Sequence, residues 1–230
     1  ETLAIICELV RSRAAGVRLS AEEVQERIGA AAVNAGPVRA GAAKHGAIAV
    51  LPLYGVIAQR MNMMMQTSGG TSTEMFGRAF REAVREPSIS AIVLDVDSGG
   101  GSVFGVEELA SEIRAARGTK PIIAVANSMA ASAAYWIAAQ ADELVVTPGG
   151  MVGSIGVLTA HEDRSKAQEL AGVKTTLISA GKFKAEDAPF QPLSEVARTA
   201  LQSLVDKYYA TFVQAVAKGR KVSVGTVKEG

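Results

Sequence analysis

Apolar and polar residues follow one another in blocks that predict strands separated by helices. Apolar runs, several rich in β-branched residues, predict strands at Ala47–Ile57, Ala91–Val96, Pro121–Ala126, Glu143–Thr147 and Thr175–Ser179. Helical patterns occur at Ser72–Arg85, Val103–Arg117, Ala130–Gln140 and Leu193–Lys218. Strands that alternate with helices in this way predict an α/β fold with a largely parallel sheet and right-handed crossovers.

The first part of the chain has a different pattern. Residues 2–33 have a helical pattern, in which Ser20 and Glu23 form a capping-box signature. Residues 34–46 are rich in Gly, Ala and Pro and predict a linker. We therefore expect an N-terminal helical segment and linker over residues 1–45 and one α/β domain over 46–230. Because the helical pattern near the end is not closed, we expect the natural protein to continue beyond Gly230.

Composition and charge exclude some partners. The formal net charge is +1, so no global field attracts nucleic acid or an anionic membrane. Cys7 is the single cysteine, which rules out an intramolecular disulfide and fits a reducing compartment. The sequence has no apolar run of membrane-spanning length and no His/Cys cluster with ligand spacing. We expect a cytoplasmic protein without a metal.

Two motifs have the residues to bind and attack a carbonyl group. Asp97-Ser-Gly-Gly-Gly-Ser-Val103 follows a predicted strand, and its glycines allow backbone amides to turn towards a phosphate or an oxyanion. A plain strand–helix turn explains this motif equally well. Ser132 lies where a strand gives way to a helix. That is the position of an N-cap, or of a nucleophile whose oxyanion product binds the next amide, that of Ala133.

Two further motifs lie closer to the C-terminus. Gly150–Gly156 contains Ser154 and predicts either a tight turn or a close backbone approach near a site. Ser179–Pro189 contains Lys182 and Lys184. A lysine acts as a base only when burial lowers its pKa to roughly 7–8, whereas most lysines in loops are solvated.

Histidine is the rival base. The chain has only two histidines, His45 in the predicted linker and His161 after a strand-like run. A pair of Ser132 and His161 is therefore the competing catalytic arrangement.

In this order, the four motifs resemble the signal peptide peptidase A family of serine peptidases over about residues 46–220. The family pattern is Asn-Ser-Pro-Gly-Gly-Gly, Met-Ala-Ala-Ser-Gly-Gly-Tyr, Gly-Ser-Ile-Gly and Ser-Gly-x-x-Lys. The matching segments here are Asp97–Ser102, Met129–Tyr135, Gly153–Gly156 and Ser179–Lys184. Within the family, the chain is most similar to the phage capsid (prohead) protease branch. The resemblance implies a Clp/crotonase-like fold of repeated β-β-α/β-α-β units, plus the N-terminal helical segment.

The resemblance also assigns roles to residues. It implies a Ser–Lys dyad with Ser132 as nucleophile and Lys184 as general base, and it implies that Ser154 helps to hold the lysine amine. It implies an oxyanion hole formed by the amides of Gly100, Gly101 and Ala133, and it implies no metal or cofactor.

Some departures from the family pattern bear on the site. Lys182 is a second candidate base, but the position of Lys184 ahead of the final helix fits the pattern better. Gly99 replaces the usual Pro, and Ala133-Ala134 replaces Gly-Gly. These changes make the glycine turn less rigid and the site slightly narrower.

The implied reaction is peptide-bond hydrolysis through an acyl-enzyme, in phage capsid maturation, on scaffold or minor capsid proteins. A bacterial signal peptide peptidase that degrades cleaved signal peptides is an alternative, and its membrane anchor would lie upstream. Alternatives of other classes are a crotonase-type acyl-CoA enzyme and an inactive structural capsid component.

We also expect a homo-oligomer in which a neighbour can supply Lys184. One reason is the apolar loop Met61–Met65. The other is an apolar stripe on the last helix, formed by Leu201, Leu204, Tyr208, Phe212 and Val216.

Overall fold

The computed structural model describes residues 47–61 and 69–229. The predicted helices over residues 2–33, the linker over 34–46 and Met63–Met65 lie outside the described residues, and the boundary at residue 45 stays a prediction. The chain divides into two compact units. The first, here called the sheet unit, runs to Ile155 and resumes at Val213, and the second unit is Gly156–Phe212.

The sheet unit contains one sheet in which every described pairing is parallel. Its strands are β1 Ala47–Ala58, β2 Thr71–Ser72, β3 Ile89–Gly101, β4 Ile122–Ala131, β5 Glu143–Val146 and β6 Met151–Gly153. The strand order is β2-β1-β3-β4-β5, and β6 pairs with the end of β4. Pro52 lies in β1 well before the two residues that pair with β2, where the missing N–H interrupts no ladder on that side.

The helices of the chain are α1 Thr73–Arg85, α2 Val106–Ala115, α3 Ala133–Ala138, α4 Ser165–Leu170, α5 Glu195–Arg220 and α6 Val224–Glu229. Helix α1 begins where the Ser72 hydroxyl accepts the amide of Met75 at 3.3 Å, and it ends before Pro87. Helices α1 and α3 pack on the sheet, and α2 packs against both of them. The α/β class with a parallel sheet and packed helices is therefore confirmed.

Both faces of the sheet are buried at its centre. Ala91, Val93, Ile123 and Val125 form an apolar cluster on one face. Leu94, Val96 and Ala124, which alternate with them, have no exposed surface. This explains why the strand sequences are apolar at successive positions rather than at every second one.

Three predicted elements differ in the structure. The glycine triplet is not a turn after a strand, because β3 continues through Gly101 beside β1. Helix α3 is shorter than predicted because β4 continues to Ala131. The strand predicted at Thr175–Ser179 is wrong: this segment is exposed and pairs with no described strand, so its β-branched residues have no ladder to join.

The second unit buries few large side chains. It contains α4, on which no residue is buried, and α5 as far as Phe212. Phe212 is buried, whereas Leu158, Leu170 and Ile178 are more than four-fifths exposed. Among the described residues, no helix is long and apolar enough to cross a membrane.

Candidate active site

Ser132 lies on a strained turn between β4 and α3. Its backbone has φ +52° and ψ −123°, a conformation that residues with a Cβ rarely adopt. Strain of this kind costs roughly 1–3 kcal/mol and concentrates at functional sites. Ser132 holds the N-cap position of α3, but its side chain makes no capping hydrogen bond. Helix capping therefore does not explain why a residue with a hydroxyl occupies this position.

The backbone of Gly100 packs directly against this turn. A Cβ added to Gly100 would lie 2.8 Å from the Cβ of Ser132 and 3.0 Å from the amide nitrogen of Ala133. Gly100 also has φ +102°, which favours glycine. The structure thus brings together three of the predicted site residues, one from the glycine triplet and two from the serine turn.

The two glycines of the predicted oxyanion hole have different surroundings. The Gly100 amide donates a hydrogen bond of 3.1 Å to the Ser98 hydroxyl, so an oxyanion would share or displace this partner. Gly101 packs on β1, since a Cβ added there would lie 2.0 Å from the Ile57 carbonyl oxygen. Of the two, Gly100 is the one that the structure places against Ser132.

The Gly-Ser-Ile-Gly motif also reaches the serine turn. Strand β6 pairs with β4 so that Gly153 lies beside Ala131. The Gly153 carbonyl accepts the amide hydrogen of Ser132 at 2.8 Å. Ser154, the next residue, has φ +54°. Ser154, which also has strained backbone, therefore directly follows Gly153, the hydrogen-bond partner of Ser132.

Lys184 belongs to the second unit. It lies on an exposed turn, where its amide donates a hydrogen bond of 3.2 Å to the Gly181 carbonyl. The neighbouring candidate, Lys182, has its Nζ 5.1 Å from the centre of the Phe183 ring. Among the described residues Lys184 is exposed, and the pairing of Ser132 with Lys184 stays a prediction.

His161, the rival base, is also in the second unit. Its Nε2 lies 3.3 Å from the carbonyl oxygen of Gln191. Because a carbonyl oxygen only accepts, this contact requires the proton on Nε2. His161 thus contacts the Gln191 backbone within its own unit.

Sequence reasoning missed a polar pair on β1 and β3. The hydroxyl of Tyr54 donates a short hydrogen bond to Asp95 Oδ2, while Oδ1 of this buried carboxylate has no hydrogen-bond partner among the described residues. This hydrogen bond, followed by burial and the negative charges of Asp95 and Asp97, raises the pKa of Tyr54 to about 12. The signal was present in the sequence, because Asp95 interrupts an otherwise apolar run.

The fold and this turn define an α/β protein with a strained serine where a parallel strand meets a helix, the setting in which α/β-hydrolases hold their nucleophile. Residues 114–230 match the protein family described as Peptidase family S49. This match covers just over half of the chain and includes Ser132, Ser154 and Lys184. The chain belongs to that peptidase family.

Individual relatives include phage proteins and cellular proteases. The chain is 36% identical to the Capsid assembly protease C of Escherichia phage lambda, over 78% of this chain and 41% of that protein. It is 32% identical to the Head-tail preconnector protein GP5 of Enterobacteria phage P21, over 78% of this chain and 36% of that protein. It is 30% identical to Protease 4 of Haemophilus influenzae, over 76% of this chain and 28% of that protein. The chain thus spans less than half the length of these relatives.

Among solved structures, the chain is similar to a ClpP1 mutant from Listeria monocytogenes. The TM-score is 0.45 and the sequence identity is 13%, over 78% of this chain and 77% of that chain.

Proposed function

We propose that the chain is a serine endopeptidase that uses Ser132 as nucleophile and Lys184 as general base. The observation that carries the proposal is the Ser132 turn. Its backbone is strained, its hydroxyl does not cap the helix, and the backbone of Gly100 packs directly against it. Membership of a peptidase family supports the reaction class.

The chemistry is acyl transfer. The neutral amine of Lys184 takes the proton of the Ser132 hydroxyl as the oxygen attacks the scissile carbonyl carbon. The resulting oxyanion accepts hydrogen bonds from the Ala133 amide and from the Gly100 amide, which it shares with Ser98. Collapse breaks the C–N bond, and the Lys184 ammonium protonates the leaving amine. A water molecule then hydrolyses the ester, with Lys184 again as base.

The exposure of Lys184 leads to a proposal about assembly. A lysine acts as a general base in its neutral form, which burial away from water favours. The second unit, which contains Lys184, also exposes large apolar side chains such as Leu158, Ile178 and Phe183. A homo-oligomer that covers this unit would bury Lys184 and these apolar side chains. A neighbouring protomer would then supply or enclose the lysine.

The proposed substrates are scaffold or minor capsid proteins in a phage prohead, within the host cytoplasm. The support is the similarity to two phage proteins, one of them a capsid assembly protease. Degradation of cleaved signal peptides is the second candidate, and it is supported by 28% identity to the Putative signal peptide peptidase SppA of Enterococcus faecium, over 79% of this chain and 53% of that protein. Cleavage of a capsid scaffold protein but not of a synthetic signal peptide would favour the first, and the reverse would favour the second.

A fluorophosphonate probe tests the nucleophile. We expect a single labelled residue, Ser132, and no labelling in Ser132→Ala. Lys184→Ala should remove cleavage of fluorogenic casein, whereas Lys182→Ala should have a mild effect. Loss in Lys182→Ala with retention in Lys184→Ala would reverse the base assignment. Loss in a folded His161→Ala variant would favour the Ser–His pair, and turnover of acyl-CoA thioesters without peptide cleavage would favour a crotonase-type enzyme.

Mixing two inactive variants tests whether the dyad is shared. Ser132→Ala retains Lys184, and Lys184→Ala retains Ser132, so a mixed oligomer with shared sites regains part of the activity. Light scattering verifies the oligomer, and mass spectrometry verifies mixing. A monomer at working concentration would contradict the assembly proposal, and an inactive mixed oligomer would restrict the dyad to one chain.

A further inference from the structure

Ser98 has a buried polar side chain that takes no direct part in the proposed reaction. It is 2% exposed. Its Oγ donates a hydrogen bond of 2.5 Å to the Gly55 carbonyl and accepts the amide hydrogen of Gly100 at 3.1 Å. One hydroxyl therefore joins β1 to Gly100, the residue that packs against Ser132.

The strand pairings explain why a hydroxyl is needed at this point. The pairing of β3 with β1 shifts between Tyr54 and Val56, and its pairing with β4 shifts after Val96. Both neighbours of β3 thus lose regular register around Ser98. Backbone groups at such irregularities lose their ladder partners, and a buried one left unpaired is costly. The Ser98 hydroxyl supplies the missing partner to one carbonyl and one amide.

The backbone of Gly100 is so close to the Ser132 turn that not even a Cβ fits between them. A rotation of the Gly100 peptide would therefore change the donors that face a carbonyl bound at Ser132. The Ser98 hydroxyl accepts a hydrogen bond from the Gly100 amide itself, and its hydrogen bond to the Gly55 carbonyl anchors it to β1.

We infer that Ser98 is a positioning residue, whose hydroxyl holds the Gly100 peptide against the Ser132 turn and so orients the oxyanion site. This inference rests on the proposed function. Ser98 touches neither the substrate nor the reacting atoms. Its effect is expected on transition-state stabilisation, with little change in substrate binding.

The test compares Ser98→Ala with Ser102→Ala. Ser102 belongs to the same motif, and its hydroxyl likewise accepts an amide two residues ahead, that of Phe104 at 3.3 Å. Both variants lose a hydroxyl with this local bond, but only Ser98 is linked to Gly100. The readouts are kcat and KM for p-nitrophenyl butyrate, and inhibition by a short peptide boronic acid, which forms a tetrahedral adduct with a serine hydroxyl.

We expect Ser98→Ala to lower kcat on the order of 10- to 100-fold with KM nearly unchanged. Inhibition by the boronic acid should weaken by a similar factor, and Ser102→Ala should behave as wild type. Complete fluorophosphonate labelling at long times, with an unchanged urea midpoint, shows that Ser98→Ala is folded. Wild-type kcat in the folded variant, or equal losses in both variants, would overturn the inference.

Two further experiments distinguish a folding defect in Ser98→Ala, a failure of the inference about Ser98 and a failure of the proposed function. If Ser98→Ala does not fold, Ser98→Cys keeps nearly the same volume with a weaker donor and acceptor, and a smaller loss of kcat is expected. Wild-type kcat in folded Ser98→Cys would then overturn the inference. If the wild-type protein is not labelled at Ser132, the proposed function itself fails, whereas a labelled wild type with unaffected Ser98 variants removes only the role of Ser98.

Discussion

The amide of Ser132 donates a hydrogen bond of 2.8 Å to the carbonyl of Gly153. This bond joins the serine turn to the end of β6, immediately before Ser154. Both serines have positive φ, so the hydrogen bond links one strained residue to the chain neighbour of another. The arrangement is held by sheet pairing rather than by a flexible loop, because β6 and β4 are in register up to Gly153 and Ala131.

A pair of glycine substitutions tests the contact between the glycine triplet and the serine turn. Gly100→Ala would place a Cβ 2.8 Å from Ser132 Cβ at φ +102°, whereas a Cβ on Gly99 meets only Met129 Sδ at 3.7 Å. We expect Gly100→Ala to lower kcat about 100-fold or more, by displacing the proposed oxyanion donor. Gly99→Ala should stay close to wild type. Steady-state kinetics on a fluorogenic peptide measures both, and equal activities would show that Gly100 does not shape the site.

The strain at Ser132 predicts a conflict between stability and activity. Replacement by glycine relieves a backbone at φ +52°, whereas replacement by alanine retains the strain. Ser132→Gly should therefore be more stable than Ser132→Ala by about 1 kcal/mol, and both should be inactive. Urea unfolding of the two variants gives the comparison. A less stable glycine variant would mean that the turn is not strained in solution.

Much of the sheet could be predicted from the sequence because its central strands are apolar on both faces, as at Ala91–Val96. The end of β3 could not be predicted, since three glycines favour a turn, whereas in the structure Gly100 and Gly101 pair with β1. The motifs predicted a role for Ser132, whereas its backbone strain follows from tertiary packing. The exposure of Lys184 could not be predicted either, because a buried lysine and a solvated lysine can have the same local sequence pattern.

The tyrosine on β1 predicts a titration at high pH. The hydrogen bond from Tyr54 to Asp95 raises the pKa of Tyr54 from 10.0 to about 12. Its stabilising contribution is therefore fully present below pH 10 and is lost as the pH rises through about 12. Absorbance at 295 nm should show a late ionisation step that Tyr54→Phe removes. Tyr209→Phe, the matched control, should retain it, and loss of the step in the control would contradict the assignment.

The same linkage predicts how the stability of Tyr54→Phe compares with wild type. The difference in unfolding free energy should be constant between pH 8 and 10 and should shrink above pH 10, because the unfolded tyrosine ionises first. Urea unfolding at several pH values measures it. A difference that grows with pH would mean that the hydroxyl is not the donor to Asp95.

The end of α5 packs against the residues that follow α3. Gly219 lies so close to α3 that a Cβ there would be 2.3 Å from the Ala139 carbonyl oxygen. The Gly219 carbonyl also accepts a hydrogen bond of 2.9 Å from Arg117, whose guanidinium binds Gln140 and Ala141 carbonyls as well. Gly219→Ala should therefore destabilise the fold by about 1–3 kcal/mol, through overpacking against backbone that cannot move.

Gly225→Ala is the matched control, because a Cβ there has only an ordinary contact, 3.5 Å from Ser223 Oγ. In helix α6 this change should be neutral or stabilising by about 0.5–1 kcal/mol. Urea unfolding followed by circular dichroism compares the two variants, and activity per folded molecule should be unchanged in both, since neither glycine contacts the Ser132 turn. Equal stability of the two variants would show that α5 does not end against α3 as described.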